Sequence, residues 1–205
     1  MRLIIIGPQA SGKGTQASML AKEMGLSHLS MGEKLRQEAA SGSRLGHQIK
    51  ERIDKGELVP NELVEKMTKR LIKESNGKFI LDGFPRNEEQ ARFLDLITPI
   101  DHVIQLKVSD KTAVERIGGR RECPKGHDYH VFYKPPKKEG VCDVDGLPLH
   151  RRADDTSAAI MKRLQTYHNR TEPVLAHYKG KVLDINGEQG IRDVHFAILK
   201  ALHKR

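Results

Sequence analysis

The sequence predicts an α/β fold: a doubly wound parallel sheet with two inserted lobes. Three observations carry that prediction. The apolar run Leu3-Ile4-Ile5-Ile6 passes directly into the glycine-bounded loop Gly7-Pro8-Gln9-Ala10-Ser11-Gly12-Lys13-Gly14-Thr15, and a helix-like stretch follows from Gln16 to Met24. Strand-like and helix-like segments then alternate through most of the 205 residues, the order required when parallel strands are joined by helical crossovers. Two segments, about 30–59 and 119–153, break the alternation and read as insertions on the C-terminal side of the strands.

The first strand, Arg2 to Ile6, is continuously apolar, as a strand covered on both faces must be. Met19, Leu20 and Met24 give the first helix an apolar side, and Gly25 stops it. A short strand at Ser27 to Leu29 leads into two polar helices joined through Ser41-Gly42-Ser43, whose apolar stripe is thin: Leu35, Leu45, Ile49 and Ile53. Few anchors imply a lightly attached lobe. Pro60 suits the first position of the next helix, where Leu63, Val64, Met67, Leu71 and Ile72 recur at helical steps. Lys78 to Asp82 reads as a strand ending in a carboxylate, Asn87 to Ile97 as a helix, His102 to Val108 as a strand and Asp110 to Gly118 as a helix. Glu122 to Arg151 has turn glycines, Pro135-Pro136, both cysteines and no helical period, so it reads as a small β-rich insertion. Helix is expected after Asp154-Asp155 to about His177, strand from Lys181 to Ile185 and a closing helix from Glu188 to His203.

Composition narrows the function classes. A 37% hydrophobic content supports one sizeable core, and no apolar run reaches the length of a membrane span. Two cysteines and no signal-peptide pattern point to a reducing, cytoplasmic setting. The net charge of +9 asks for anionic partners. Aromatic residues make up only 4%, with no Trp, and the arginines stand mostly at isolated positions. Stacking platforms for nucleic acid are therefore scarce, and small polyphosphates are the expected partners, with no nucleic acid and no membrane.

The loop at 7–15 states the chemistry most directly. Its successive backbone N–H groups and the following helix N-terminus suit a phosphate chain. Lys13 is placed to reach the outer phosphates and Thr15 to serve an accompanying magnesium ion. This is a P-loop, and the fold class is accordingly a P-loop NTPase-type sheet. Asp82, at a strand's C-terminal end, is placed to face the magnesium shell.

Gly-Lys-Gly-Thr at 12–15, Asp-Gly-Phe-Pro-Arg at 82–86 with Gln90, Gly-Arg-Arg at 119–121 and Arg-Ala-Asp-Asp at 152–155 resemble, in order and spacing, the motifs of the adenylate kinase family. The resemblance covers nearly the whole chain. It implies a core at 1–29, 60–118 and 154–205, a mobile lobe for the nucleoside monophosphate at 30–59 and a mobile lid at 119–153. The implied reaction is reversible phosphoryl transfer from Mg-ATP to AMP, giving two ADP, in a monomeric enzyme. The implied ATP-binding residues are Gly7, Gly12, Lys13, Gly14, Thr15, Arg116, Arg120 and Gln189. For AMP they are Met31, Arg36, Glu57, Leu58, Val59, Gly83, Arg86, Gln90, Arg152 and Arg163. The catalytic group implied is Lys13, Asp82, Arg86, Arg120, Arg152 and Arg163, with Glu33 assisting at the metal. The reaction needs alignment, charge neutralisation and exclusion of water rather than a strong base, and planar arginines suit that task.

Three positions depart from the family pattern. Ala10-Ser11 stands where another glycine is usual, at a backbone angle expected to be one alanine tolerates. Met31 replaces Thr and Glu33 replaces Asp. The lost hydroxyl at Met31 keeps a second reading open, a kinase for CMP or UMP. A zinc-bearing nucleic-acid-binding protein using ATP as a switch is a third reading. A GTPase is disfavoured because no Asn-Lys-x-Asp segment occurs.

Cys123-Pro-Lys-Gly-His127 and Cys142-Asp-Val-Asp145 resemble the metal-binding form of the family's lid. Cys123, His127, Cys142 and Asp145 are the implied ligands, with His130 or Asp128 as alternatives to His127 because the first pair is irregularly spaced. Thiolate, imidazole and carboxylate suit a structural Zn2+. A Cys123–Cys142 disulfide and a purely hydrogen-bonded lid are the competing readings.

Overall fold

The computed structural model describes residues 1–203. Five parallel strands form the central sheet in the order β2-β3-β1-β4-β7: β1 (Arg2–Ile6), β2 (Ser27–Ser30), β3 (Phe79–Asp82), β4 (His102–Lys107) and β7 (Val182–Asn186). The register sets Asp82, the last residue of β3, beside Ile5 on one side and Ser30 on the other. The strand ends that deliver the P-loop and the carboxylate are thereby neighbours.

Helices cover both faces. Leu3, Ile5, Ile80 and Ile104 pack with Ala17 and Leu20 of α1 (Lys13–Met24) and with Val194 and Ile198 of α9 (Ile191–His203). Ile4, Phe79, Leu81 and Val103 pack on the other face with Val64 of α4 (Asn61–Glu74) and with Ala91 and Leu94 of α5 (Glu88–Ile97). Alternate residues of β1 and β3 thus supply two cores, which is why these inner strands read as apolar runs.

The first insertion comprises α2 (Met31–Ala39) and α3 (Arg44–Asp54), each started by a serine that accepts a hydrogen bond from the third following N–H. Only Gly46 and Ile49 of α3 are buried, which matches the thin stripe expected from the sequence. The second insertion follows α6 (Asp110–Gly119) and begins with a two-stranded hairpin, β5 (Arg120–Glu122) and β6 (Asp128–His130). Beyond the hairpin it is held by isolated bridges such as Glu122–His150 and Val141–Pro148. It carries less strand than expected, since only Cys123, Tyr129, Cys142 and Leu149 form its apolar cluster.

The long helix expected to end at His177 is divided. Regular α7 (Ser157–Thr166) widens into a π-turn at Tyr167–Thr171, and α8 (Val174–His177) resumes after Pro173. Proline has no N–H for the preceding turn, so the ladder is rearranged there. The closing helix starts at Ile191, three residues later than expected, after the turn through Gly187 and Gly190. Among the described residues no helix is long and apolar enough to cross a membrane.

Candidate active site and lid cluster

One cleft of about 950 Å³ lies over the C-terminal ends of the strands. Every residue expected to bind ATP or AMP lines it, including Glu57, Leu58, Val59, Gly83 and Gln189. The P-loop forms its floor. Gly12 takes φ 94° and precedes α1 with no side-chain cap, which leaves the helix N–H groups open toward the cleft. Ala10 has φ 58°. This is the left-handed region, which costs a residue with a Cβ about 1–2 kcal/mol, so alanine is strained there, contrary to the expected tolerance.

Lys13 folds back over its own loop, donating to the carbonyls of Gly7 at 2.8 Å and Pro8 at 2.7 Å. Burial lowers its pKa to about 8, against the pull of Asp82 and with help from Arg86 and Arg120. A Cβ added to Gly14 would stand 3.5 Å from Asp82 Oδ2, so the carboxylate overlooks the start of α1. Burial opposes the charge on Asp82, but His28, Lys13 and Arg86 together hold its carboxyl below the usual range. His28 Nε2 lies 3.6 Å from Asp82 Oδ2.

Five arginines converge on the cleft from separate segments. Arg86 donates through Nε to the Gly83 carbonyl at 2.8 Å, and its backbone N–H donates to Gln90 Oε1 at 2.8 Å. Gln90 also donates to Asn61 Oδ1 at 2.8 Å, so its amide braces the Arg86 turn. Arg120 is gripped by Asp155, with Nε to Oδ2 at 3.0 Å and a second contact through Nη2. Arg163 pairs with Asp154 and donates to the Ile53 carbonyl of α3 at 3.0 Å. Arg152 pairs with Glu122 and, at 2.6 Å, with Asp128. Arg36 of α2 lies 3.7 Å from Glu122. Burial and neighbouring arginines push Arg36, Arg86 and Arg120 below the usual guanidinium range. Close-set, partly desolvated cations of this kind attract multiply charged anions.

The remaining expected residues take clear places. Arg116 donates to the Gly187 carbonyl at 2.9 Å and lies 5.4 Å from the Tyr133 ring centroid, beside Gln189 on the cleft wall. Met31 is 1% exposed and belongs to the core under the cleft with Leu35 and Val59. Glu33 faces the second insertion, where a Cβ on Gly126 would stand 3.3 Å from its Oε1. His28, Tyr133 and Glu122 were not expected from sequence. His28 and Tyr133 lack motif neighbours, and Glu122 is visible only as an acidic residue following Gly-Arg-Arg.

In the second insertion, one ligand atom from each of Cys123, His127, Cys142 and Asp145 lies within 4.8 Å of the others. Cys123 Sγ is 3.2 Å from His127 Nδ1 and 3.3 Å from Asp145 Oδ2, and His127 Nδ1 is 3.1 Å from Asp145 Oδ2. Cys142 Sγ is 3.5 Å from His127 Nδ1. Zinc–ligand bonds of about 2.0–2.3 Å make tetrahedral edges of roughly 3.3–3.8 Å, so the four atoms fit such an ion with small outward shifts. Both cysteines are free and buried, so the disulfide reading does not describe this structure. Burial raises the Cys123 thiol, while hydrogen bonds from Cys142, Leu147, Cys123 and His127 hold Asp145 down at about 2.

His130 is engaged elsewhere: Nε2 lies 3.0 Å from the Arg116 carbonyl, and Nδ1 accepts from the N–H groups of Phe132 and Tyr133. Asp128 is committed to Arg152. Neither alternative to His127 joins the cluster.

The comparisons with known proteins agree with this geometry. A family model described as adenylate kinase matches residues 5–183. Curated adenylate kinases resemble the chain over nearly their whole lengths. The protein of Caldicellulosiruptor saccharolyticus is 43% identical over 98% of this chain and 99% of its own. That of Vanderwaltozyma polyspora is 44% identical over 100% and 96%, and that of Methanothrix thermoacetophila 38% identical over 100% and 99%. A match of that extent, over a cleft assembled from the same motifs, shows that this chain belongs to the adenylate kinase family.

Proposed function

We propose that the chain catalyses reversible phosphoryl transfer from Mg-ATP to AMP, giving two ADP and maintaining adenine nucleotide balance. The observation that carries this reading is the convergence of Lys13 and five arginines from the P-loop, the turn after β3, both insertions and α7 on one cleft. Two facing nucleotides bring about six to seven negative charges, more than any single segment of the cleft could neutralise.

In this reading the P-loop N–H groups and Lys13 cradle the donor phosphates, with Arg120 beside them and Arg116 along the adenine. Arg36 and Arg86 hold the acceptor phosphate. Arg152 and Arg163 neutralise the charge that spreads over the transferring group, and aligning the reactants supplies much of the rate. Asp82 and Thr15 are the residues that would hold the shell of the magnesium ion that accompanies ATP, which would supply charge neutralisation at the phosphates. The segments 30–59 and 119–153 are lobes that close over the nucleotides and exclude water. In the lid, Cys123, His127, Cys142 and Asp145 hold a structural zinc ion, which stabilises an insertion too poor in apolar residues to fold by burial alone. The chain acts as a cytoplasmic monomer on free nucleotides.

The test is diphosphate production from Mg-ATP with AMP, CMP, UMP or GMP offered singly. Fast ADP formation with AMP alone supports the reading. Faster turnover with CMP or UMP reassigns the acceptor lobe around Met31, and no turnover with any acceptor refutes the kinase assignment.

A further inference from the structure

We propose that Glu122 is a built-in stand-in for phosphate, clasping Arg36 and Arg152 until the acceptor nucleotide displaces it. This rests on the phosphoryl-transfer reading above. Glu122 is only 8% exposed, yet carries a carboxylate. Its backbone is fixed on both sides, by paired hydrogen bonds with His150 at 2.9 and 3.0 Å and by its register with Asp128. The carboxylate therefore stays against two arginines that line the cleft. One oxygen accepts from Arg152 Nε, and the other lies 3.7 Å from Arg36 Nε.

Those partners come from different parts of the chain. Arg36 belongs to α2 in the first insertion, whereas Arg152 lies on the segment returning from the second. The other counter-ions differ: Asp154 and Asp155 make their ion pairs with Arg163 and Arg120, and Asp154 attracts Arg36 of α2 only at longer range. Of these three carboxylates, Glu122 is the one that spans the two lobes through ion pairs with both. Arg36 Nε is buried and has no hydrogen-bond partner, so the clasp leaves a donor unmet. A phosphate brings three acceptor oxygens and a larger charge than a carboxylate. It can satisfy both guanidiniums more fully and take the place of Glu122.

The clasp lowers apparent acceptor affinity, because nucleotide binds only the fraction of molecules in which Arg36 and Arg152 are released. Glu122→Gln keeps the shape and one acceptor oxygen but removes the charge. Replacing a charged hydrogen bond by a neutral one should lower the KM for AMP about five- to tenfold, with kcat not reduced. In the nucleotide-free variant, probes on α2 and on exposed Val144 should also stand farther apart than in the unmodified chain. Glu122→Asp retracts the carboxylate while preserving its charge and should shift KM in the same direction by less; it serves if the glutamine variant does not fold.

A KM for AMP that is unchanged or raised overturns the clasp, as does a tenfold fall in kcat, which would make Glu122 a support that Arg152 needs. The unmodified chain separates the two claims. Its failure to form ADP refutes the kinase reading, whereas normal turnover by it with an unaltered KM in the variants refutes the clasp alone. Calorimetric binding of AMP to nucleotide-free protein reads the clasp without depending on turnover.

Discussion

Removing the Asp155 carboxylate should cost both stability and rate. Its side chain is 2% exposed. It accepts from Arg120 Nε at 3.0 Å, from Arg120 Nη2 and from Gln9 at 3.2 Å, and it lies 3.7 Å from Arg163. Asp155→Ala leaves Arg120 a mostly buried cation without its partner, a change that typically costs about 3–5 kcal/mol. At about 2–4 °C per kcal/mol for a chain of this size, melting should fall by roughly 6–20 °C. Asp155→Asn retains one acceptor for Arg120 and should lie between the two. Arg120 also loses the grip that, in the proposed mechanism, aims it at the donor phosphates, and misplacement of about 1 Å can cost on the order of 10² in rate. The assay pairs thermal unfolding, with and without a dinucleotide of two adenosines joined by five phosphates, with AMP-dependent ADP formation. The dinucleotide should restore part of the lost melting temperature, since its phosphates replace the missing counter-charge. Melting within about 2 °C of the parent, with an unaltered rate, would refute the idea that Asp155 holds Arg120 in place.

Three further outcomes follow from the same geometry. Because burial lowers Lys13 to about 8 from an ordinary 10.5, the unfolded chain binds the extra proton between those values. The contribution of this group to stability therefore rises with pH across that window. ATP affinity should run the other way, weakening as pH passes through about 8 in the free protein, and calorimetry at pH 7 and pH 9 distinguishes this from a flat profile. His127→Ala should weaken zinc binding at least about tenfold, whereas His130→Ala should leave metal content unchanged; equal loss in both variants would remove His127 from the ligand set. Labels on the lid and core should approach one another when the dinucleotide binds, and an identical separation in both states would count against mobile lobes.

The sheet was legible because its inner strands β1 and β3 are buried on both faces and appear as apolar runs bounded by turn residues. The P-loop was legible because Gly12 and Lys13 do work that few other residues can do. Ala10 was misjudged, since its positive φ follows from how the loop closes rather than from its own preference. The division of the helix after Thr166 depends on Pro173 and on packing around Tyr167, which is buried in the core. At the site, arginines within motifs could be placed by spacing, but their counter-ions could not. Glu122 meets Arg36 across 86 residues of sequence and Arg152 across 30, a closeness that only the folded lobes create. The choice of His127 over His130 likewise turned on which ring the backbone around Arg116 had already claimed.

The central claim is that one cleft takes donor and acceptor nucleotides face to face, and steady-state inhibition by the five-phosphate dinucleotide tests it most directly. A single molecule bound per chain, competing with both ATP and AMP, is the predicted result. Competition with ATP but not with AMP would contradict it, because the acceptor would then bind outside the cleft that Arg36, Arg86, Arg152 and Arg163 line.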